Sequence, residues 1–286
     1  MKLTRPGFRL IIVWALWAAV GIAAFWPTFI WMAERFEAHD SFYSHGWLIP
    51  VASGWLIWRT RARLAAVSRA ASGWGLLVLV PSLAVHVLAT WLRIGFASGF
   101  AALGVLAGIV WTCWGGAMVR ALRVPLLFLL FMIPLPGVVL IAVSFHMKLL
   151  AAAMATAAMQ LFGMPAVQAG SMIRVPGIAV IVDDTCSGLR SLISLIALST
   201  LWVLLMPSST KRWQRWTLVA ASMPIALVAN MVRIIVLVLL SAIYGPQIAD
   251  SFIHYGSGMV VFAVALAVLA WLSRQLTRQA AAPAHS

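Results

Sequence analysis

Residues 216–242 read WTLVAASMPIALVANMVRIIVLVLLSA, an apolar run in which Arg233 is the one charged residue. The run exceeds the roughly 20 apolar residues that a helix needs to cross a bilayer. It therefore predicts a transmembrane helix. A charge within such a helix is costly and usually faces a polar interior partner, so Arg233 is a candidate functional residue.

The whole chain shares this composition. Hydrophobic residues make up 64% of the 286 residues, charged residues 9%, and the mean hydropathy is +1.03. Soluble domains carry about 25% charged residues. The composition excludes a soluble enzyme, a disordered protein and a disulfide scaffold, and predicts an all-α polytopic membrane protein.

Eight apolar segments are long enough, or nearly so, to serve as spans. The sequence contains 20 Lys plus Arg against 6 Asp plus Glu, a net charge of +14. With the N-terminus inside, the Arg- and Lys-rich loops after spans two, four, six and eight are all cytoplasmic, as the positive-inside rule requires. The positive-inside rule therefore explains the net positive charge, and no nucleic-acid binding is predicted from it. The predicted spans are 10–32, 44–58, 73–91, 94–118, 126–143, 187–206, 216–242 and 256–272.

Two segments between spans five and six are predicted to stay on the outer side. Residues 145–162 have a helical pattern, and a further crossing there would turn Lys211, Arg212 and Arg215 outward, so we expect an interfacial helix. Residues 163–186 form an outer loop. Prolines and glycines in it separate the β-prone pieces 171–175 and 178–182.

The two cysteines have different surroundings. Cys113 lies in an apolar span and is predicted to be a small buried hydrophobe. Cys186 follows Asp183, Asp184 and Thr185, which are N-cap types, and precedes an apolar run. We therefore expect its sulfur in the first turn of a helix, where the helix dipole favours thiolate. The aspartates oppose this effect, and Arg190 could offset them.

Arg233 and His254 are the other candidates. Asn230 shares a helix face with Arg233, whose forked donors could bind an oxyanion or a carboxylate. A structural pairing of Arg233 with an aspartate is an alternative. His254, at the predicted outer mouth of span eight, could move a proton near neutral pH, or could be an ordinary hydrogen-bonding residue.

The predicted topology brings Cys186, Arg233 and His254 to the outer side of the membrane. Thiol, guanidinium and imidazole together suit covalent acyl transfer.

No metal site and no cofactor is predicted, since no Cys/His pair has metal-ligand spacing. Two alternatives remain open at this point: a transporter or flippase with a pathway lined by Pro134, Pro136 and Arg233, and a structural subunit of an envelope complex.

The chain resembles the exosortase/archaeosortase family, and bacterial exosortases most. DDTCSGLRSL (183–192), NMVRI (230–234) and the HYG segment at 254–256 carry the resemblance. FYSHGWLIPVASGWLIW (42–58) is similar to the family's early signature. The order Cys, Arg, His and the eight-span layout also match. No appended soluble domain is expected after Arg278.

The resemblance implies a membrane cysteine peptidase or transpeptidase of the bacterial inner membrane. Its substrates would be secreted proteins whose C-terminal tail holds a Pro-Glu-Pro-like motif, a transmembrane helix and a basic cluster. It assigns Cys186 as nucleophile, Arg233 as transition-state stabiliser and His254 as general acid and base. The supporting or substrate-binding positions would be Asn230, Asp184, Ser187, Arg190 and Arg174. Of these, Arg190 or Arg174 would bind the glutamate of the substrate motif.

Overall fold

A computed structural model describes residues 19–38, 41–183, 187–207, 209–245 and 252–281, with side chains at the last helix described for 256–278. The chain divides into two compact units. The first comprises Met1–His39 and Ser44–Leu135, and the second comprises Asp40–Tyr43 and Pro136–Ser286. The N-terminal part of the first predicted span, 10–18, lies outside the described residues.

The first unit is helical. Helical residues 19–24 precede α1, and a 3-10 turn at Gly73–Gly75 leads into α4, which packs along α5. A second 3-10 turn, Leu129–Met132, ends the unit's helices. The helices are α1 (Trp26–Glu37), α2 (Leu48–Arg59), α3 (Arg61–Ala65), α4 (Leu76–Trp91), α5 (Gly95–Trp114) and α6 (Gly116–Phe128).

A buried polar cluster joins three segments of this unit. His86 Nε2 lies 3.1 Å from the carbonyl oxygen of Ala24, to which only an N–H can donate. In a neutral imidazole, Nδ1 then accepts from the Ser98 hydroxyl at 2.7 Å, and Ser98 Oγ accepts from Thr28 at 2.6 Å. Phe25 stacks on the His86 ring at 3.8 Å. The cluster satisfies polar groups that would be costly in an apolar environment.

The second unit combines four helices with a small sheet. The strands are antiparallel in the order β1-β2-β3, with Val175 paired with Ile178 across the Pro176–Gly177 turn. Strands β2 and β3 confirm the two predicted β-prone pieces, and β1 adds a third strand. The elements are α7 (Gly137–Leu161), β1 (Val167–Ala169), β2 (Met172–Val175), β3 (Ile178–Ile181), α8 (Leu189–Leu205), α9 (Arg212–Tyr244) and α10 (Phe252–Ala281).

A mostly helical membrane protein with a small sheet is confirmed, whereas the count of eight spans is not. Among the described residues, five helices are long and apolar enough to cross a membrane, and α8 is apolar but shorter. Predicted span two is observed as the 12-residue α2, which begins at Leu48. The five long helices are Gly73–Trp91, Gly95–Trp114, Gly137–Leu161, Arg212–Tyr244 and Gly256–Arg278.

Helix breaks correct two predicted boundaries. The fourth predicted span, 94–118, ends at Trp114, because Gly115 adopts φ +85°, a conformation that helices do not continue through. The division into a span at 126–143 and a separate helix at 145–162 was wrong. Pro134 forces Ile133 to be extended, with ψ 114°, and α7 then starts after Pro136 and runs unbroken over Gly137–Leu161.

Two buried clusters fix α9 within the second unit. One joins alanines of α7 and Ile173 and Val175 of the sheet to Ile234, Leu237 and Val238 of α9. The other joins α8, α9 and α10 through leucines and alanines, and Phe42 packs against it. Since Arg233 directly precedes Ile234, these clusters determine the surroundings of the candidate site.

Candidate active site

Arg233 is buried between α9 and α10. Its side chain is 8% exposed, and Nε donates a long hydrogen bond of 3.4 Å to Ser257 Oγ. The guanidinium lies over the backbone of Gly258, where a Cβ atom would be 3.6 Å from Cζ. A hydroxyl and a close backbone therefore contact the guanidinium, whose N–H groups form a planar fork.

Asn230, one helical turn before Arg233, meets the bend that precedes α8. Gly188 has φ +78°, and a Cβ at that position would lie 2.8 Å from Cγ and 3.0 Å from Nδ2 of Asn230. Asn230 is 4% exposed and Ser187 is 1% exposed. Ser187 Oγ accepts the backbone N–H of Leu189 at 3.3 Å. Gly188, the last residue of the Cys186-Ser187-Gly188 sequence, thus packs directly on α9.

The other end of the same loop, at Val182, is held by the sheet. The backbone N–H of Val182 donates to the carbonyl of Ser171 at 2.9 Å. Val182 also belongs to the buried cluster that contains Ile234. The residues that flank this part of the chain are therefore both held in place, Val182 by the sheet and Gly188 by its contact with Asn230.

Several predicted site residues lie outside the described residues. These are Cys186 and Asp184 entirely, and His254 in its side chain. The prediction that Cys186 occupies the first turn of a helix therefore concerns a residue outside the described part of the chain. The observed helix α8 begins at Leu189, with Gly188 as its N-cap. The left-handed conformation of Gly188 ends the bend and sets this boundary.

The two arginines predicted to meet a substrate carboxylate have different positions. Arg190 is half-buried in the first turn of α8, two residues after Gly188. Arg174 is exposed on β2, between Ile173 and Val175, whose side chains face the helices. Because successive strand residues point to opposite faces, Arg174 lies on the unpacked face of the sheet.

Three contact residues had not been predicted from the sequence: Gly188, Ser257 and Gly258. The last two follow position 254 by three and four residues, a spacing that places helical residues on one face. This spacing could have identified the contact with Arg233. The packing of Gly188 on Asn230 depends on how α8 and α9 meet and has no equivalent signal in the sequence.

A groove runs along α9 and α10 from Arg233. Its volume is about 660 Å³, and Arg233 and Ser257 are the polar members of an otherwise apolar lining. Valines dominate the lining on both helices, including Val232 and Val260. Among the described residues, no group of three His, Cys, Asp or Glu side chains could hold a metal ion.

The early signature at 42–58 contributes to both units. Phe42 packs against the cluster of α8, α9 and α10 in the second unit. His45 lies in the turn before α2, in the first unit, and burial lowers the pKa of its imidazole because desolvation disfavours the charged form. The signature therefore has a structural role on each side of the unit boundary.

Comparison with known protein families gives a match. No curated protein and no solved structure matches the chain. A family model described as "Transmembrane exosortase" matches residues 31–271, which include the bend at Ser187 and Gly188, Asn230, Arg233 and the start of α10. With most of its length covered by that model, the chain belongs to the transmembrane exosortase family.

Proposed function

We propose that this exosortase is a membrane cysteine peptidase or transpeptidase that removes the C-terminal sorting tail of secreted proteins. The observation that carries the proposal is the contact of Gly188 with Asn230. Cys186 precedes this bend by two residues, and Arg233 follows Asn230 by one turn. This short separation along the chain supports the assignment of the Cys186 thiol and the buried Arg233 guanidinium to one site.

The first chemical step is thiolate attack. Cys186 gives its proton to the His254 imidazole, and Sγ forms a bond to the scissile carbonyl carbon. The carbonyl π electrons move to oxygen, which becomes an oxyanion. When the tetrahedral intermediate collapses, the C–N bond breaks, His254 returns the proton to the leaving amine, and the retained chain is held as a thioester.

Arg233 is suited to stabilise the oxyanion. Its guanidinium presents several N–H donors in a planar fork. The hydrogen bond to Ser257 and the packing on Gly258 orient these donors before substrate arrives. Preorganised donors of this kind supply a large share of the rate enhancement of acyl transfer.

His254 is the proposed general acid and base. Position 254 lies one helical turn before Ser257 and Gly258, the two α10 residues that contact Arg233. Positions related by three or four residues share a helix face. The proposal therefore takes its acid and base from α10 and its nucleophile from the segment before α8.

The charge distribution supports an active site on the outer side of the inner membrane, with both termini in the cytoplasm. Lys211, Arg212 and Arg215 follow α8, and basic residues of short loops favour the cytoplasmic side. The bend at the other end of α8 then faces outward. A substrate tail held by its own transmembrane helix would reach it laterally.

Arg190 is the better of the two candidates for the acidic residue of the tail's motif. It is half-buried and close in sequence to the bend, whereas Arg174 lies on the unpacked face of the sheet. A guanidinium can bind a carboxylate through two parallel hydrogen bonds. We therefore assign Arg190 to the substrate glutamate.

The decisive experiment follows a tailed reporter in cells that contain or lack the enzyme. Mass spectrometry of the reporter's new C-terminus distinguishes a free carboxylate from an added amine, glycan or lipid. Cys186→Ala should abolish processing, and Cys113→Ala, the matched control in α5, should leave it intact. Processing by Cys186→Ala at the wild-type rate would contradict the peptidase and favour the transporter alternative.

A further inference from the structure

The Val-rich groove of α9 and α10 is the surface that best fits a membrane-embedded ligand. It leads from Arg233 and Ser257 towards Pro224 on α9 and Val268 on α10. We propose that this groove receives the transmembrane helix of the substrate tail. The proposal rests on the proposed function, because it assigns the docking surface of the same site.

The direction of the groove agrees with the direction of a tail. From Arg233 to Pro224 the α9 axis falls by about 14 Å, towards the helix end that carries Arg212 and Arg215. That end is cytoplasmic by the positive-inside rule. A tail cleaved beside Arg233 would continue down the groove, with its C-terminus on the cytoplasmic side.

The lining favours a helix as the occupant. In membranes, helices associate where small side chains allow close approach, since hydrophobicity gives no preference for protein over lipid. Ala229 and Ala265 lie among the valines, which have few rotamers to lose on contact. This surface offers the close, rigid packing that a second helix requires.

The depth of Arg233 favours a peptide over a phospholipid. Trp216 and Tyr244 are exposed aromatic residues of the type found at membrane interfaces, and α9 rises about 42 Å between them, close to the full bilayer thickness. Arg233 then lies about 16 Å inside the Tyr244 end. A phosphate does not reach this depth, whereas the carbonyl groups of a crossing peptide do.

Site-specific photocrosslinking tests the assignment with matched positions. The photoreactive residue p-benzoylphenylalanine replaces Val260 or Val232 in the groove, or Met259 or Met223 as controls on the same helices. Val260 and Met259 are both exposed, at 63% and 76%, but only Val260 lines the groove. Tailed reporters should crosslink at Val260 and Val232 at least tenfold more than at the control positions.

The outcomes separate the docking surface from the reaction. Equal crosslinking at groove and control positions would contradict docking of the tail in the groove. Crosslinks to phospholipid that the reporter does not displace would contradict it as well. In either case, cleavage of the reporter by the wild type would still support the peptidase. Crosslinks in the groove without cleavage would uphold docking and contradict the peptidase. In a second assay, Val260→Trp should raise KM for the tail at least fivefold, and Met259→Trp should leave it unchanged.

Discussion

The side chain of Asn230 occupies the space into which a Cβ atom at Gly188 would project, 2.8 Å from Cγ. This relationship couples the bend after Cys186 to the helix that carries Arg233. The contact is so close that adding one methyl group at position 188 is enough to test it.

Gly188→Ala should reduce tail removal strongly while the protein still inserts. The new methyl group meets Asn230, and the left-handed conformation costs a residue with a Cβ about 1–2 kcal/mol. Steady-state kinetics of the reporter measures the loss. Adding Asn230→Ala to Gly188→Ala relieves the overlap and should restore part of the stability lost, which a thermal melt of both variants records. Simple additivity of the two changes would argue against the contact.

Arg233→Lys should lower kcat for tail removal by about 10²–10³, the effect of removing one oxyanion-hole donor. Lysine retains the charge but loses the planar fork and the Nε–H that bonds Ser257. Ser257→Ala removes only a long hydrogen bond, so its effect should stay within about fivefold. If the lysine variant were as active as the wild type, the proposed role of Arg233 in stabilising the oxyanion would be contradicted.

Protonation of His45 should weaken the first unit as the pH falls. Because burial lowers its folded pKa below the ordinary value of 6.5, the unfolded chain binds the proton more tightly. The stability that neutral His45 contributes is therefore present above pH 6.5 and is lost as the pH falls below it. Melts at pH 7.5 and 5.5 should differ less for His45→Asn than for wild type, whereas His146→Gln should behave like wild type.

Ser98→Ala should destabilise the first unit by about 1–3 kcal/mol, since it leaves the buried His86 Nδ1 without its hydroxyl donor. Thr112→Val is the control, because Thr112 bonds to the carbonyl of Gly108 in its own helix. The difference between the two melting temperatures is the measurement. Equal shifts would mean that the polar cluster contributes no more than an ordinary side-chain hydrogen bond.

Helix α7 should cross the bilayer, in place of the predicted span at 126–143. It has 25 residues, and its most apolar 18-residue window has a mean hydropathy of 2.0. A crossing by α7 keeps the basic loops inside and the sheet outside, so the charge bias remains satisfied. Cysteines at Leu135 and Phe162 should react with impermeant maleimide from opposite sides. Labelling of both cysteines from one side would instead support the predicted interfacial helix.

The sequence predicted the parts of the fold that follow from local patterns. The Pro176–Gly177 pair, between two runs rich in β-branched residues, was enough to identify β2 and β3. The three residues of β1 are too few to give a periodic signal. The prolines at 134 and 136 were interpreted as an interruption within a span, but the restriction that Pro134 places on Ile133 makes them a boundary.

The candidate site was predictable only in its components. Spacing alone places Asn230 and Arg233 on one face of α9. The approach of Gly188 to Asn230 and of Gly258 to Arg233 arises from the packing of α8 and α10 on α9, which no short sequence window contains. Helical spacing from position 254 was the signal that could have indicated Ser257 and Gly258.

The double attachment of the loop before α8 sets where this protein can be engineered. Gly188 packs against Asn230 of α9, and Val182 is buried in the cluster that contains Ile234, so adding or deleting one residue between them would change the length of a segment held at both ends. The hairpin tips at Gly170 and Gly177 are exposed and face no such restriction. An epitope inserted at either tip would allow purification, and a fluorophore there would report on folding, while the loop that carries Cys186 keeps its native length.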